Sequence, residues 1–299
     1  MPKAFVNGIH MHYQCMGQGP DVVLIHGITA TMAMWHLKIV PGLTKDYRVI
    51  TYDLRGHGYS DIPPTGYTSA DMASDLYALL DYLQIERAYL VGHSFGGAIA
   101  LHLAALYPER IGGAAIADAG IPALLHLRTL HDWPGWTLWK NQLEALGAQL
   151  DEHSTPEDID PERIIRKSFQ IPLQFGLRKG QERKTKRMER LLDETSVIKE
   201  FRQVAGLTEE KLAQIRRPVL AIYGANSIYR KIGLHLQDLL PNCKALALAG
   251  TGHFYLVRDP DMLLKPLRQF LRNPSKALTG LQDGAMDEGT AFREGGVVA

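Results

Sequence analysis

The first 120 residues alternate between short apolar runs and amphipathic stretches. Runs rich in apolar and β-branched side chains predict buried strands at residues 21–25, 47–52 and 88–91. Apolar side chains at helical spacing predict helices after the second and third of these strands, at residues 69–83 and 98–107. Strands that alternate with helices in this way are typical of an α/β fold, with a mostly parallel central sheet and helices on both faces.

The pattern changes between residues 121 and 206. Helical, strongly charged segments replace the strand-like runs there, and such runs return at residues 218–223 and 244–248. We therefore predict a core formed by residues 1–120 and 207–273, with residues 121–206 inserted into it as a helical cap.

The residues after Asn273 carry little periodic hydrophobicity. Residues 274–299 are rich in glycine, which predicts a flexible tail. The first residues lack the apolar stretch of a signal peptide, and no run reaches the ~18 apolar residues that cross a bilayer. We expect a cytoplasmic protein without membrane contact.

Composition narrows the function classes. Apolar residues make up 45% of the chain and charged residues 22%, which excludes a disordered chain. The net charge of +1 argues against nucleic acid as a partner, because binding a phosphate backbone calls for a strongly basic surface. Cys15 and Cys243 lie far apart and outside any Cys-x-x-Cys pattern, so neither a disulfide framework nor a thiolate metal site is indicated.

Candidate chemistry centres on Ser94, within the segment Gly-His-Ser-Phe-Gly at residues 92–96. This Gly-x-Ser-x-Gly motif follows a predicted strand and precedes a predicted helix, which is the context that a nucleophilic serine needs. The amide N–H groups and the positive dipole end of the helix would stabilise an oxyanion that forms beside the hydroxyl.

A serine hydroxyl needs an imidazole within hydrogen-bond reach, because it is too weakly acidic to attack alone. His253 fits this role, since it follows a late strand and precedes a helix, at the sheet edge that carries Ser94. Asp53 and Arg55 are interpreted as structural rather than as an acid–base pair.

Four motifs in order resemble the α/β-hydrolase superfamily, in the branch with a helical cap. They are His26-Gly27, the segment Asp-Leu-Arg-Gly-His-Gly-Tyr-Ser at residues 53–60, the serine motif and Gly252-His253. The resemblance covers about residues 5–273. It implies an oxyanion hole formed by the backbone N–H groups of Phe95 and Ile28, and chemistry that needs no metal or organic cofactor.

The acid that should orient His253 departs from the family pattern. Members usually carry Asp three residues after the glycine that ends the strand following the cap, but Gly224-Ala-Asn-Ser227 has serine there. Asp118, at the end of the preceding strand, is the first replacement, although it could instead cap a turn. Asn226, as a neutral partner of the histidine, is the other candidate.

Two features of the cap have alternative interpretations. Trp133, Trp136 and Trp139 are spaced by three and either form core or contact a hydrophobic substrate across the cleft. The basic run at residues 178–190 is either solvated surface or a docking patch for an acyl carrier protein.

The sequence thus predicts a serine hydrolase that cleaves a small-molecule carboxylic ester or thioester through an acyl-enzyme on Ser94. A carbon–carbon bond hydrolase and a carrier-protein thioesterase are alternatives, because both use this constellation under different caps. A binding protein built on a catalytically weakened hydrolase is a third, and Ser227 is the feature that favours it.

Overall fold

The computed structural model describes residues 2–28, 30–128, 178–253 and 255–281, together with Lys140 and Glu144. Within them, eight strands form one sheet in the order β1-β2-β4-β3-β5-β6-β7-β8. The strands that pair with β2 are antiparallel to it and all other pairs are parallel, which confirms the predicted fold class. The strand bounds are β1 Lys3–Val6, β2 Ile9–Met16, β3 Asp21–Ile25, β4 Arg48–Tyr52, β5 Ala88–His93, β6 Ile111–Ala117, β7 Val219–Gly224 and β8 Cys243–Leu248.

The described helices surround this sheet. None of them is long and apolar enough to span a membrane. Two short 3₁₀ helices lie at Pro108–Arg110 and Pro122–Leu127. The α-helices are α1 Ala33–His36, α2 Ile39–Leu43, α3 Ser69–Tyr82, α4 Phe95–Leu106, α5 Arg178–Glu194, α6 Val197–Glu200, α7 Glu209–Leu212, α8 Arg230–Leu239, α9 Tyr255–Arg258, α10 Asp261–Arg272 and α11 Pro274–Gly280.

The core lies on both faces of the sheet, because successive strand residues point to opposite sides. In β3, Val23 and Ile25 belong to the hydrophobic cluster that includes α3 and α4. Val22 and Leu24 belong to the cluster on the other face, with α2 and α10. A strand buried on both faces is continuously apolar, which is why β3 could be predicted from its composition.

The chain makes a long excursion between β6 and β7, which are neighbours in the sheet. The last part of this insertion contacts the loop after β4. The side chain of Leu191 in α5 lies against Gly56, and Glu200 Oε2 accepts hydrogen bonds from the backbone N–H groups of Gly66 (2.8 Å) and Tyr67 (2.7 Å). The insertion is therefore fixed to the core at its second end. The bounds of the cap at 121–206 stay a prediction.

The predicted flexible tail is wrong for its first seven residues, which form α11. Asn273 caps this helix by accepting a hydrogen bond from the Lys276 N–H at 3.1 Å, and Pro274 occupies the first turn. Both are ordinary signals for a helix start. Ala277 is buried on the sheet face that also holds α10. Leu281 is the C-cap of this helix, and residues 282–299 of the predicted tail lie outside the described residues.

Candidate active site

Ser94 occupies a sharp turn between β5 and α4. Its backbone has φ 54° and ψ −125°, a conformation that non-glycine residues rarely adopt. The turn brings backbone segments so close that a Cβ on Gly92 would collide with the Gly96 carbonyl, and a Cβ on Gly96 with the Ile25 carbonyl. The Ser94 N–H donates to the carbonyl of Ala117 at 3.0 Å, which ties the turn to β6.

Asp118 lies beside this turn because of the register of the sheet. His93 in β5 pairs with Ala117 in β6, so the residues that follow them, Ser94 and Asp118, share the carboxyl edge of two adjacent parallel strands. Asp118 also has a positive φ, 49°. Such backbone strain costs about 1–3 kcal/mol per residue and persists where the surroundings enforce it, often at functional positions.

The carboxylate of Asp118 is fully buried and accepts three hydrogen bonds. The Gly224 N–H donates to Oδ2 at 2.7 Å, and the Ser227 hydroxyl donates to Oδ1 at 2.5 Å. His253 Nδ1 donates to the same Oδ1 at 2.9 Å. These donors come from the end of β7, the loop after it and His253, whereas a turn cap would bond the residues that follow Asp118 itself. Asp118 therefore bonds His253 and the end of β7 rather than the residues that follow it, and its role as the orienting acid stays a prediction.

His253 is partly exposed, with 19% of its side chain accessible to solvent. A carboxylate only accepts, so Nδ1 carries the proton, and in the neutral ring Nε2 presents its lone pair. The ring of Tyr229 packs edge-on against the imidazole, with 5.2 Å between the ring centroids. Asn226, the alternative partner, donates its backbone N–H to the Thr251 carbonyl at 2.8 Å and thereby holds the loop that leads to His253.

The segment with the predicted oxyanion donor Ile28 runs against Ser94. A Cβ on Gly27 would lie 2.9 Å from the Cβ of Ser94 and 3.4 Å from its Oγ. The carbonyl of Ile28 contacts His57 Nε2, and the Arg55 carbonyl lies 2.8 Å from Nδ1 of the same ring, so His57 connects this loop to the loop after β4. Phe95 is the first residue of α4, so its N–H belongs to the helix end that lacks intrahelical acceptors. The role of both N–H groups stays a prediction.

Asp53 fixes the far end of the same loop. Its buried carboxylate accepts the N–H groups of Met32 and Tyr59, each at 3.0 Å, and the His12 imidazole at 2.7 Å. Arg55 instead pairs with Asp75 at 2.6 Å through two guanidinium nitrogens. These contacts agree with a structural role for Asp53 and Arg55. No cluster of metal-binding side chains occurs among the residues that the structure describes.

Two buried histidines near the site resist protonation. Burial, followed by the neighbouring His57, lowers the pKa of His26 to about 3. Burial, followed by His253, lowers the pKa of His93 to about 4. His26 Nδ1 donates to the Gly27 carbonyl and Nε2 accepts from the Leu54 N–H, so a second proton would break the latter bond.

We expect the folded protein to lose stability as the pH falls from about 6.5 to 5, because the unfolded chain binds protons that His26 and His93 exclude in the fold. Over this interval each contributes a loss of about 2 kcal/mol in the free energy of unfolding. Urea unfolding at pH 7 and pH 5 measures it. His26→Asn should flatten the dependence and exposed His126→Gln should not; an unchanged slope in both would contradict the assignment.

The sequence missed two contacts of the site. Ser227 donates a hydrogen bond to Asp118. This contact could have been predicted, because Ser227 occupies the position where the family usually has its acid and Asp118 follows the neighbouring strand. Tyr229 packs on His253 and follows from no motif. The predicted substrate contacts Trp133, Trp136 and Trp139 lie outside the described residues.

Residues 20–260 match the family model of the alpha/beta hydrolase fold. The chain belongs to the α/β-hydrolase family. This α/β hydrolase is 36% identical over 290 residues to the soluble epoxide hydrolase of Corynebacterium sp. (strain C12). The match covers 90% of the chain and 96% of that relative.

Other similarities are shorter or limited to the fold. Epoxide hydrolase 3 of Siraitia grosvenorii is 41% identical over 107 residues, which is 35% of the chain and 34% of that relative, so the match spans about a third of its length. The solved enol-lactonase from Burkholderia xenovorans LB400 superposes with a TM-score of 0.65 at 22% identity and covers 91% of the chain and 100% of that structure. At this identity the likeness shows the fold alone.

Ser227→Ala should weaken both the fold and the site, since it removes a donor from a buried carboxylate. A hydrogen bond to a charged group contributes about 1.5–3 kcal/mol, and we expect the free energy of unfolding to fall by this amount. Turnover should fall as well, because Asp118 loses one of the two donors on the oxygen that meets His253. Ser69→Ala, which removes another buried hydroxyl, is the matched control and should leave kcat unchanged. An unaltered kcat in Ser227→Ala would contradict the role.

Proposed function

We propose that this α/β hydrolase cleaves carboxylic esters or thioesters of small molecules by acyl transfer from Ser94 to water. One observation carries the proposal: the hydrogen bond of 2.9 Å from His253 Nδ1 to the buried carboxylate of Asp118, next to Ser94 at the strained turn. This bond leaves Nε2 as the base and supplies the negative charge that stabilises an imidazolium.

In the first half of the reaction, Ser94 Oγ attacks the carbonyl carbon of the substrate and His253 Nε2 takes the hydroxyl proton. The carbonyl oxygen becomes an oxyanion, which the N–H groups of Phe95 and Ile28 stabilise. The bond to the leaving group then breaks, and His253 returns its proton to the departing alcohol or thiol. An ester between the acyl group and Ser94 remains.

In the second half, water attacks this ester and gives one proton to His253 Nε2. A second oxyanion forms in the same place and collapses, and Ser94 Oγ leaves with the proton from His253. The carboxylic acid is released and the site returns to its starting state. Asp118 stays ionised throughout, and its role is to hold the tautomer and to stabilise the imidazolium.

Epoxide hydrolysis is the second candidate, because the relative of similar length is a soluble epoxide hydrolase. The chemistry of Ser94 argues against it. A serine oxygen that opens an epoxide forms an alkyl ether, which has no carbonyl carbon for water to attack. The enzyme would stop after one turnover, whereas an ester on Ser94 is readily hydrolysed.

The remaining alternatives have less support. A weakened binding protein was suggested by Ser227, but its hydroxyl donates to a carboxylate that is itself bonded to His253. The relatives named above give no support for an acyl carrier protein as partner. The side chains of residues 178–185, in the basic run, lie outside the described part of the structure. Cleavage of carbon–carbon bonds would use the same serine, histidine and acid as ester hydrolysis. Only the choice of substrate in an assay distinguishes these two activities.

A substrate panel tests the proposal. Purified protein is mixed with a p-nitrophenyl ester, an acyl thioester, a lactone, a vinylogous 1,5-diketone acid and a terminal epoxide, and the release of product is followed. We expect turnover of the ester or the thioester, with a burst of one equivalent of p-nitrophenol where hydrolysis of the acyl-enzyme is slow. Multiple turnovers of the epoxide without turnover of any ester would contradict the proposal, and turnover of the diketone acid alone would assign carbon–carbon bond cleavage instead.

A further inference from the structure

His93 directly precedes Ser94 and lies at the end of β5, with only 3% of its surface exposed. The proposed reaction does not use this imidazole, yet it contacts the base in two ways. Its Nε2–H donates to the backbone carbonyl of His253 at 3.1 Å. Its ring also stacks on the His253 ring, with centroids 5.0 Å apart and 29° between the planes.

The hydrogen bond fixes the protonation of His93. A carbonyl oxygen only accepts, so Nε2 carries the proton and Nδ1 is bare in the neutral ring. Nδ1 is buried and has no hydrogen-bond partner in the described part of the chain. A second proton on Nδ1 would create a buried N–H group that has no acceptor among the described residues, which is unfavourable. The ring remains neutral beside His253, and a neutral neighbour does not oppose the positive charge that the base acquires in each turnover.

His93 also connects the two reacting groups mechanically. It is joined to Ser94 by a peptide bond and is held in the sheet by its pairing with Ala117. Through its imidazole it holds the backbone of His253, which lies on the loop after β8. Asp118 holds Nδ1 of the His253 ring, whereas His93 holds the main chain of His253 and one face of its ring.

We propose that His93 is a positioning residue that sets the distance between Ser94 Oγ and His253 Nε2, through its hydrogen bond to the His253 carbonyl. This inference rests on the proposed acyl transfer. Its consequence is that loss of the hydrogen bond displaces the base without removing any reacting group. A displacement of about 1 Å from the reactive geometry can lower a rate about 100-fold.

The test is the rate of Ser94 modification by a fluorophosphonate probe, followed by intact-protein mass spectrometry. His93→Phe keeps an aromatic ring but has no N–H donor, and His93→Gln keeps a side-chain N–H donor without the ring. His102→Phe is the matched control, because His102 is equally buried (3% exposed) and bonds Ser69 in α3 rather than the site.

We expect His93→Phe to react about 10- to 100-fold more slowly than the wild type, and His93→Gln to recover most of the rate. With an ester substrate, kcat should fall in His93→Phe while KM changes little, since substrate contacts are retained. His102→Phe should react at the wild-type rate. Where His93→Phe does not fold, His93→Met, which also lacks an N–H donor, replaces it with the same expected result.

Wild-type reactivity in folded His93→Phe would overturn the inference. An equal slowing in His93→Phe and His102→Phe would also overturn it, because the loss would then reflect general packing. A wild-type protein that does not react with the probe would instead overturn the proposed function, and this inference with it. The wild-type reaction thus separates the two failures.

Discussion

Ser94→Ala is expected to lower kcat/KM for an ester substrate by about 10⁵- to 10⁶-fold, a loss of the size that removal of a nucleophilic serine causes in serine hydrolases. The reason is that no acyl-enzyme can form, and the oxyanion donors alone supply only weak catalysis by water. Steady-state kinetics with the best ester of the panel measures the effect. The burst of released alcohol should disappear as well.

The matched comparison is Ser94→Gly, which also removes the hydroxyl. At φ 54° alanine keeps the backbone strain and glycine relieves it, so we expect Ser94→Gly to be about 1 kcal/mol more stable than Ser94→Ala. Both variants should be equally inactive. Residual turnover above about 1% of the wild type in either variant would show that another residue is the nucleophile.

Asp118→Asn is expected to lower kcat by about 10⁴-fold. The amide is neutral, so it no longer stabilises the imidazolium of His253. The NH₂ group of the amide would also face a hydrogen-bond donor in either orientation. At one position it meets the Gly224 N–H, and at the other it meets the Ser227 hydroxyl and His253 Nδ1. The kinetics of ester hydrolysis, with circular dichroism as the check on folding, measure the effect.

Two further variants test which residue is the acid that orients His253. Asn226→Ala should leave kcat nearly unchanged, because Asp118 is the carboxylate that bonds Nδ1. The double variant Asp118→Asn with Ser227→Asp moves the charge to the position that the family pattern favours and should restore part of the lost rate. If Asp118→Asn retains full activity while Asn226→Ala loses it, the assignment of the acid is wrong.

Much of the fold followed from the sequence, since strands of a parallel sheet are continuously apolar. Residues 21–25 were predicted with their observed bounds, whereas β5 continues two residues beyond the prediction, to His93. The helix after it begins at Phe95, three residues earlier than predicted, because the turn at Ser94 takes a single residue. Periodicity cannot place such a turn, which depends on how closely glycines let the backbone approach.

Features of the candidate site that depend on the order of motifs along the chain could be predicted from the sequence. Features that depend on contacts between distant side chains could be predicted less well. Ser94 and His253 follow from motifs at strand ends. The choice between Asp118 and Asn226 stayed open, because it depends on which side chain meets Nδ1 across three strands. The contact of His93 with the His253 carbonyl joins residues 160 positions apart, and no local pattern encodes it.

The nucleophile is identified most directly by peptide mass spectrometry of wild type, Ser94→Ala and His253→Ala after reaction with a fluorophosphonate. We expect one stoichiometric adduct, on Ser94, in the wild type and none in either variant under the same conditions. A folded wild-type protein without adduct, or an adduct that persists in Ser94→Ala, would contradict the assignment of Ser94 as the nucleophile.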